Sequence, residues 1–303
     1  MSPRGARAPA GALARPPFAR ALSVLSEYSG FSPAMVLFGF FFAAPMALIV
    51  AYSFWEVINY SVVAHWTFDN YHYVFSTPAY VDTFLATVWM TLAATAATLA
   101  AAFPFAYWLV RYVPRRWQRL LLVLVIIPFW VSYLLRVTAW TILLGREGVL
   151  NRFLEAIGVT SQPVSWLLYD RPAVIFVLVY LYFPFAALTL FAALERFDWN
   201  QLRAAQDLGA SPARAIGRVM VPQIKPGITT AVIFVFIPIL GEYLTPQLVG
   251  GTRGVMIGNL VVNFFMEAQY TRGAAIALLI AAVVIVLLLV FRRSLQVGEI
   301  YGR

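Results

Sequence analysis

Long apolar runs without a charged side chain are the feature that most restricts how this chain can fold. Four such runs contain no Asp, Glu, Lys or Arg, and two more are each interrupted by one charge. A helix needs about 20 apolar residues to cross the bilayer, and irregular backbone is too costly there. The pattern predicts an all-α, polytopic membrane protein with six transmembrane helices. The predicted spans are about 33–55, 83–110, 120–144, 172–194, 224–246 and 273–292.

Composition supports the membrane class and removes several others. The chain is 62% hydrophobic and only 12% charged, whereas soluble domains carry about 45–50% apolar and about 25% charged residues. The net charge of +9 comes from basic residues between apolar runs, so it indicates orientation in a lipid bilayer rather than a nucleic-acid partner. The absence of cysteine excludes disulfides, zinc–thiolate sites and thiol catalysis.

Basic residues predict which side each loop occupies. Arg and Lys concentrate in the tail 1–30, the loops 111–119 and 195–225, and the C-terminus, while the loop 56–82 has none. The positive-inside rule therefore places both termini in the cytoplasm. We expect a disordered cytoplasmic tail at 1–30, a transmembrane domain at 31–295, and a cytoplasmic tail at 296–303.

The cytoplasmic segment 197–216 predicts a compact helix–turn–helix. Asp198 can cap a helix, with Gln201 as its reciprocal partner, and Gly209 suits the left-handed residue that ends that helix. Ser211 and the proline after it restart a second helix. An apolar ridge is predicted at Leu202, Ala205 and Leu208. An ordinary connecting loop is the alternative from patterning alone.

The same segment resembles the EAA motif of permeases in binding-protein-dependent ABC importers. The matching positions are Ala204, Ala205, Gly209, Val219, Val221 and Pro222, while Arg203 stands where the family has glutamate. In the family this loop docks into a cleft of the ATPase subunit and transmits its closure. The resemblance therefore makes Arg203, Ala204, Ala205, Asp207, Gly209 and Pro222 the candidate ATPase-coupling residues.

A wider resemblance points to the spermidine/putrescine-type permeases. It rests on the stretches 128–132, 135–136, 139–140 and 148–151, and on a second group from Gly241 to Gly258. The resemblance implies a type I importer permease in the bacterial inner membrane. Its implied partners are a second homologous permease, two ATPase subunits and an extracytoplasmic solute-binding protein. The implied substrate is a polyamine, with another organic cation, or a small organic anion or phosphonate, as alternatives.

Two ionisable residues, Arg136 and Glu242, lie inside otherwise apolar spans. Such groups are costly in lipid and usually face a cavity or each other. Glu242 is interpreted either as attracting a cationic substrate or as pairing with Arg136 or a partner permease, and pairing with Arg136 is the interpretation that we favour.

Aromatic residues lie near these two charges in the sequence. Their ring faces can bind ammonium groups, or the rings can simply pack against neighbouring helices or lie at the membrane interface. The candidate translocation pathway is Trp130, Tyr133, Arg136, Trp140, Glu242 and Tyr243. Pro128, Pro184 and Pro238 are candidates for helix bends beside a cavity.

No catalytic motif is present in the sequence. Lys225 is the sole lysine, and Ile224 precedes it where a phosphate-binding loop needs glycine. We therefore expect a transport subunit without cofactor or metal, with ATP and Mg²⁺ bound by the partner ATPase. A stand-alone secondary transporter and a membrane enzyme or assembly factor are the rival interpretations. The first calls for inverted repeats, and the second for a cluster of catalytic groups.

Overall fold

The computed structural model describes residues 32–164 and 167–300. The predicted tail 1–30 lies outside the described residues. The chain divides into two compact units, Met1–Ala51 and Tyr52–Arg303.

Helices make up most of the described residues, as the sequence predicts. Gly39–Ala43 and Ile216–Met220 are π-helices, and Ile127–Trp130 is a 3₁₀ helix. The α-helices and strands are α1 Ser32–Phe38, α2 Ala44–Ser53, β1 Glu56–Ile58, β2 Ser61–Val63, α3 Asp69–Ser76, α4 Pro78–Tyr112, α5 Arg115–Ile126, α6 Tyr133–Leu144, α7 Val149–Ala156, α8 Arg171–Glu195, α9 Trp199–Asp207, α10 Pro212–Ala215, α11 Val221–Gln223, α12 Lys225–Leu240, α13 Leu244–Val249, α14 Ile257–Met266 and α15 Tyr270–Ile300.

The described part of the first unit is a single run of helix with exposed apolar side chains. Phe38, Phe40, Phe41 and Phe42 are each more than half exposed. The helical stretch Met35–Ser53 is long and apolar enough to cross a membrane. Such a surface suits contact with lipid chains rather than water.

The second unit supplies the other candidate spans. Three are unbroken helices, at Pro78–Tyr112, Arg171–Glu195 and Tyr270–Arg292. Two more are bent pairs: Arg115–Trp130 with Tyr133–Ala156 at 92°, and Pro212–Gln223 with Lys225–Leu240 at 75°. With Met35–Ser53, the described residues contain four straight spans, or six if each bent pair counts as one.

The core of this unit is the packing of α8 against α4 and α12. The buried face of α4 is built from small residues, including Ala94, Ala102 and Ala106, which are completely buried. Small side chains let helix backbones approach closely, which is how helices gain packing energy in lipid. On α8, Leu178 and Leu190 fill the same core. This three-helix core is the scaffold that carries the bent segments.

Several boundaries differ from the predicted spans because helices continue beyond the apolar runs or stop within them. α4 begins at Pro78 rather than at 83, since a proline suits the first turn and Asp82 is exposed. α12 ends at Leu240, six residues before the predicted end at 246. The predicted span 120–144 is two helices, because the 3₁₀ turn at Pro128 is followed by extended backbone at Val131. α15 continues to Ile300, so residues 296–300 extend the last helix.

The segment 56–82 is also ordered. It contains the antiparallel hairpin β1–β2, whose turn residues Asn59 and Tyr60 both have positive φ. Asn70 is buried on α3 and donates from Nδ2 to the backbone oxygens of Ser53 and Trp55 at 3.0 and 2.8 Å. Its Oδ1 accepts from Thr271 at 3.3 Å. The bond from Thr271 ties the segment to the start of α15.

Candidate translocation and coupling sites

The helix break at Glu242 is capped by the glutamate itself. α12 ends at Leu240, and α13 begins again at Leu244. Glu242 Oε1 accepts the backbone N–H groups of Tyr243, Leu244 and Thr245 at 3.1, 3.0 and 3.3 Å. These are N–H groups that a helix start leaves without an intrahelical partner, and a negative charge there is also favoured by the helix dipole.

The second carboxylate oxygen of Glu242 is bound by two tyrosines from other helices. Tyr133 on α6 donates its hydroxyl to Oε2 at 2.6 Å, and Tyr182 on α8 does so at 3.2 Å. The Tyr133 hydroxyl also lies 2.7 Å from Thr245 Oγ1. Glu242 is only 8% exposed, so it is a buried carboxylate with five hydrogen-bond donors. A buried charge is tolerated when it is paired in this way, and here the carboxylate joins α6, α8 and α13.

The start of α14 packs directly on this break. A Cβ atom added at Gly258 would lie 2.5 Å from the backbone oxygen of Glu242, so only glycine fits. Asn259 donates from Nδ2 to the backbone oxygen of Tyr243 at 2.7 Å, and its Oδ1 accepts from Met256 N at 3.0 Å. The break is therefore held by the Glu242 side chain and by the packing of the start of α14.

Arg136 does not pair with Glu242, contrary to the pairing that we favoured from the sequence. No ion pair joins the two side chains within the described residues. The oxygens of Glu242 are occupied by other donors. The Arg136 guanidinium lies over the ring of Phe129, 4.6 Å from its centroid, and 5.6 Å from that of Tyr133. Its Nε is buried, and no hydrogen-bond partner for it exists among residues 32–164 and 167–300.

Arg136 lines a cavity of about 290 Å³ between α5, α6 and α8. The other lining residues are apolar or aromatic, and two of them are Pro128 and Pro184, which the sequence suggested as bends beside a cavity. The lining residues are Val125, Pro128, Phe129, Arg136, Phe176, Val179, Tyr180, Phe183 and Pro184.

The candidate aromatic residues do not form one group. Trp140 is half-buried and packs edge-on against Phe176 and Tyr180 of α8, with ring centroids 5.1 and 5.2 Å away. Trp130, at the elbow between α5 and α6, is 87% exposed, and Tyr243 is 42% exposed. Tyr133 contacts both Arg136 and Glu242, whereas Trp130 lies on an open surface.

The segment 197–216, which the sequence predicts to be a cytoplasmic loop, contains a helix–turn–helix made of α9 and α10. Asp198 caps α9 by accepting the backbone N–H of Asn200 at 3.0 Å, and Ser211 caps α10 through Arg214 N at 3.4 Å. The predicted reciprocal bond from Gln201 is absent among the described contacts, because its side chain instead accepts from Gln223. That contact ties α9 to α11.

The turn after α9 has the predicted left-handed residue. Gly209 has φ +88°, which residues with a side chain rarely adopt.

The predicted apolar ridge on this segment is only partly correct. Leu202 is 5% exposed and Ala205 is half-buried, but Leu208 is 90% exposed. Leu208 follows the last turn of α9, so its side chain leaves the buried stripe. Arg203, Ala204, Asp207 and Pro222 are exposed as well.

Comparison with known proteins decides the family. Residues 100–297 match the family described as the binding-protein-dependent transport system inner membrane component. The chain belongs to this family. It is therefore a multi-pass component of a transport system in the inner membrane, and its role is transport rather than catalysis.

Curated relatives cover most of this permease. It is 35% identical over 262 residues to the spermidine/putrescine transport system permease protein PotB of Escherichia coli K12, covering 86% of this chain and 93% of that protein. It is 32% identical over 257 residues to PotB of Haemophilus influenzae, covering 84% and 89%. It is 34% identical over 247 residues to the inner membrane ABC transporter permease protein YdcU of Escherichia coli K12, covering 78% of each.

A solved transporter has the same fold. A chain of the bacterial alginate ABC transporter, in complex with its alginate pentasaccharide-bound periplasmic protein, superposes with a TM-score of 0.72. The two chains are 18% identical, and the match covers 92% of this permease and 98% of that chain. The type I importer permease fold expected from the sequence is confirmed.

Sequence reasoning missed three residues of the Glu242 site: Tyr182, Thr245 and Asn259. Tyr182 lies in a charge-free apolar run among other aromatic residues, so nothing local distinguishes it from Tyr180. Asn259 carries a usable signal, because it is an amide in an otherwise apolar stretch directly after Gly258. Buried amides need hydrogen-bond partners, which suggests a contact with a helix end.

Proposed function

We propose that this permease forms half of the translocation pathway of an ATP-driven importer for a polyamine such as spermidine or putrescine. The observation that carries the substrate class is the likeness to the PotB proteins, which extends over 93% of the Escherichia coli protein. Another organic cation, or a small organic anion or phosphonate, is the alternative cargo. A stand-alone transporter is not favoured, since the family consists of components of binding-protein-dependent systems.

The proposed complex contains a second homologous permease, two ATPase subunits and an extracytoplasmic binding protein. The alginate transporter with its periplasmic protein supports the last partner. This chain has no phosphate-binding loop, so ATP and Mg²⁺ would bind to the ATPase subunits and no cofactor to the permease.

The helix–turn–helix around Gly209 is the proposed ATPase docking element. Leu208, the most exposed large apolar residue in it, would enter an apolar pocket of the ATPase, with Arg203 and Asp207 beside it. Buried apolar anchors dominate binding energy at interfaces, and charges around them set partner choice. Ala204, Ala205 and Pro222 would shape the contact.

Both termini and the 195–225 loop would then face the cytoplasm. The chain contains no cysteine, so an Ala213→Cys variant offers a single label site on exposed α10. A membrane-impermeant maleimide should modify it in inside-out vesicles and not in intact spheroplasts. Labelling from outside would reverse the proposed topology.

Within the pathway we assign Glu242 to shaping the break rather than to binding cargo. Both of its oxygens already accept hydrogen bonds, and the side chain is 8% exposed. Trp130 and Tyr243 are the exposed candidates for cation–π contact with an ammonium group. Tyr133 positions Glu242, and Trp140 supports the elbow from inside.

Uptake by the reconstituted complex tests the substrate. Proteoliposomes holding both permeases, the ATPase subunits and the binding protein should accumulate labelled spermidine or putrescine only with internal ATP. An equal concentration of a dicarboxylate should not compete. Uptake of the dicarboxylate in place of the polyamine would select the anionic alternative. A Trp130→Ala variant should reduce polyamine uptake at low substrate concentration more than a Trp130→Phe variant.

A further inference from the structure

Arg136 is a cation inside a membrane span, and no carboxylate of the described residues forms an ion pair with it. Its Nε is buried with no hydrogen-bond partner in the described part of the protein, and its guanidinium contacts the ring faces of Phe129 and Tyr133. Aromatic faces attract a cation but do not neutralise it. Charged side chains at this position in a membrane usually pair or face a cavity, and Arg136 opens on the cavity of about 290 Å³.

The depth of the cavity argues against a lipid headgroup as the partner. Its wall on α8 extends from Phe176 to Pro184, in the middle of the helix Arg171–Glu195. Tyr180 lies nine residues from Arg171, which is about 13 Å along a helix axis. Headgroup phosphates lie beyond the ends of the hydrocarbon core, and arginine reaches them by snorkelling only near helix ends. The partner must therefore approach from the side.

The apolar runs of this chain offer no second carboxylate besides Glu242. Glu242 is the one acidic residue within the apolar runs, and its oxygens already accept five hydrogen bonds. A second copy of this chain would be in the same position. A polyamine cargo carries charges of the same sign as Arg136 and would be repelled.

The surface next to the cavity is apolar and uncovered. Leu134 and Leu135 are 50% and 61% exposed, and they lie on α6 directly before Arg136. An exposed apolar surface with one unpaired cation complements a membrane helix that carries one carboxylate among apolar residues. Lipid chains could cover the leucines, but they would leave the charge of Arg136 unpaired.

We propose that Arg136 forms an intersubunit ion pair with a carboxylate on a membrane-spanning helix of the second permease, seated in the cavity beside Phe129 and Tyr180. The inference rests on the second permease named in the proposed function. The pair selects the partner, because a permease without that carboxylate would bury the Arg136 charge unpaired at the interface.

Stability of the assembled complex tests this pair. Arg136→Gln should increase the dissociation rate of the second permease from the detergent-solubilised complex on the order of thirtyfold, as for truncation of one partner of a buried charge pair. Arg136→Lys, which keeps the charge, should lose less. Arg152→Gln, at an exposed arginine on α7, is the matched control and should leave the rate unchanged. A wild-type rate for Arg136→Gln overturns the inference.

Charge exchange identifies the partner residue. Arg136→Glu should release the second permease. Replacing the intramembrane acidic residues of the second permease by arginine, one at a time, should restore binding to the Arg136→Glu chain at one position. If no replacement restores binding, the ion pair is wrong.

Thermal unfolding of this chain purified without its partner is a further test. The Arg136→Gln variant should have a melting temperature no lower than that of the unmodified chain, since the change removes an unpaired charge. A lower melting temperature there would place the role of Arg136 within its own subunit and overturn the inference.

A failure of the proposed function gives a different result. In that case the unmodified chain would retain no second permease at all. If Arg136→Gln keeps the partner but changes which substrate is taken up, Arg136 acts on cargo and the intersubunit pair is rejected.

Discussion

The turn at Gly209 and the break at Glu242 both end a helix, but the bonds that shape them come from different distances along the chain. At Gly209 the backbone bonds are local: Leu208 N to Ala204 O at 3.1 Å and Ala210 N to Ala205 O at 3.0 Å. At Glu242 one oxygen caps the next helix, whereas the other accepts from Tyr133, 109 residues away, and Tyr182, 60 residues away.

The difference follows from the surroundings of each helix end. The Gly209 turn is exposed, so water can satisfy whatever its own backbone bonds leave free. The Glu242 break interrupts a membrane span, where unsatisfied backbone groups are costly and must find protein partners. A turn at the surface can therefore be encoded locally, whereas a break in a span requires side chains from neighbouring helices. The variants below test this contrast, ordered by their expected loss of stability.

Replacing Glu242 by alanine should have the largest effect. It removes the acceptor of three backbone N–H groups and two tyrosine hydroxyls in a buried site. The free energy of unfolding should fall by about 3 kcal/mol or more, which the apparent melting temperature in detergent would record. Glu242→Gln keeps one oxygen for the backbone groups and should lose less. Glu195→Ala, at an exposed acid ending α8, is the control. Wild-type stability of Glu242→Ala would mean that the break holds without its carboxylate.

Gly258→Ala should come next, because its new Cβ would meet the Glu242 backbone oxygen at 2.5 Å. Overpacking of this kind costs roughly 1–3 kcal/mol. Gly241→Ala is the matched control in the same break, since a Cβ there meets nothing within 4 Å. Equal melting temperatures for the two variants would contradict the close approach of α14 to the break.

The two tyrosines of the Glu242 site should differ in importance. Tyr133→Phe removes the shorter hydroxyl bond to Glu242, 2.6 Å against 3.2 Å for Tyr182, and also the contact with Thr245. We expect a loss of roughly 1.5 kcal/mol for Tyr133→Phe and a smaller one for Tyr182→Phe. Thermal unfolding of both variants measures the difference. A larger loss for Tyr182→Phe would show that Tyr182 on α8, rather than Tyr133 on α6, makes the more stabilising hydrogen bond to Glu242.

Gly209→Val should cost least in stability, about 1 kcal/mol, because the turn is exposed and only its backbone is strained. Its main effect should be functional: ATP hydrolysis by the complex should continue while uptake per ATP falls. Gly209→Ala should also lower uptake per ATP, but by less. Gly217→Ala is the matched control, since both glycines are exposed with free space around an added Cβ, but only Gly209 has positive φ. Normal uptake per ATP in the Gly209→Val variant would show that this turn does not couple ATP hydrolysis to transport.

Several features of the fold could be predicted because each depends on neighbours in the sequence. The apolar runs predict the spans, and Asp198, Gly209 and Ser211 predict the helix ends within the segment 197–216. The structure has those ends where the sequence places them. The exposure of Leu208 was not predicted, because helical spacing does not show where a helix leaves the surface that covers it.

The sequence by itself determined the membrane class, the candidate spans and the left-handed turn at Gly209, since hydrophobic length and local capping are properties of adjacent residues. Only the tertiary structure decided what the intramembrane charges do. A charge in a span needs a partner, but the sequence does not say from which helix. The structure gives Glu242 two tyrosines and three backbone N–H groups, and it leaves Arg136 over aromatic rings with a cavity beside it. The physical reason is that a buried charge is stabilised by whichever donors the packing of α6 and α8 brings within hydrogen-bonding distance, and that packing joins residues far apart in the chain.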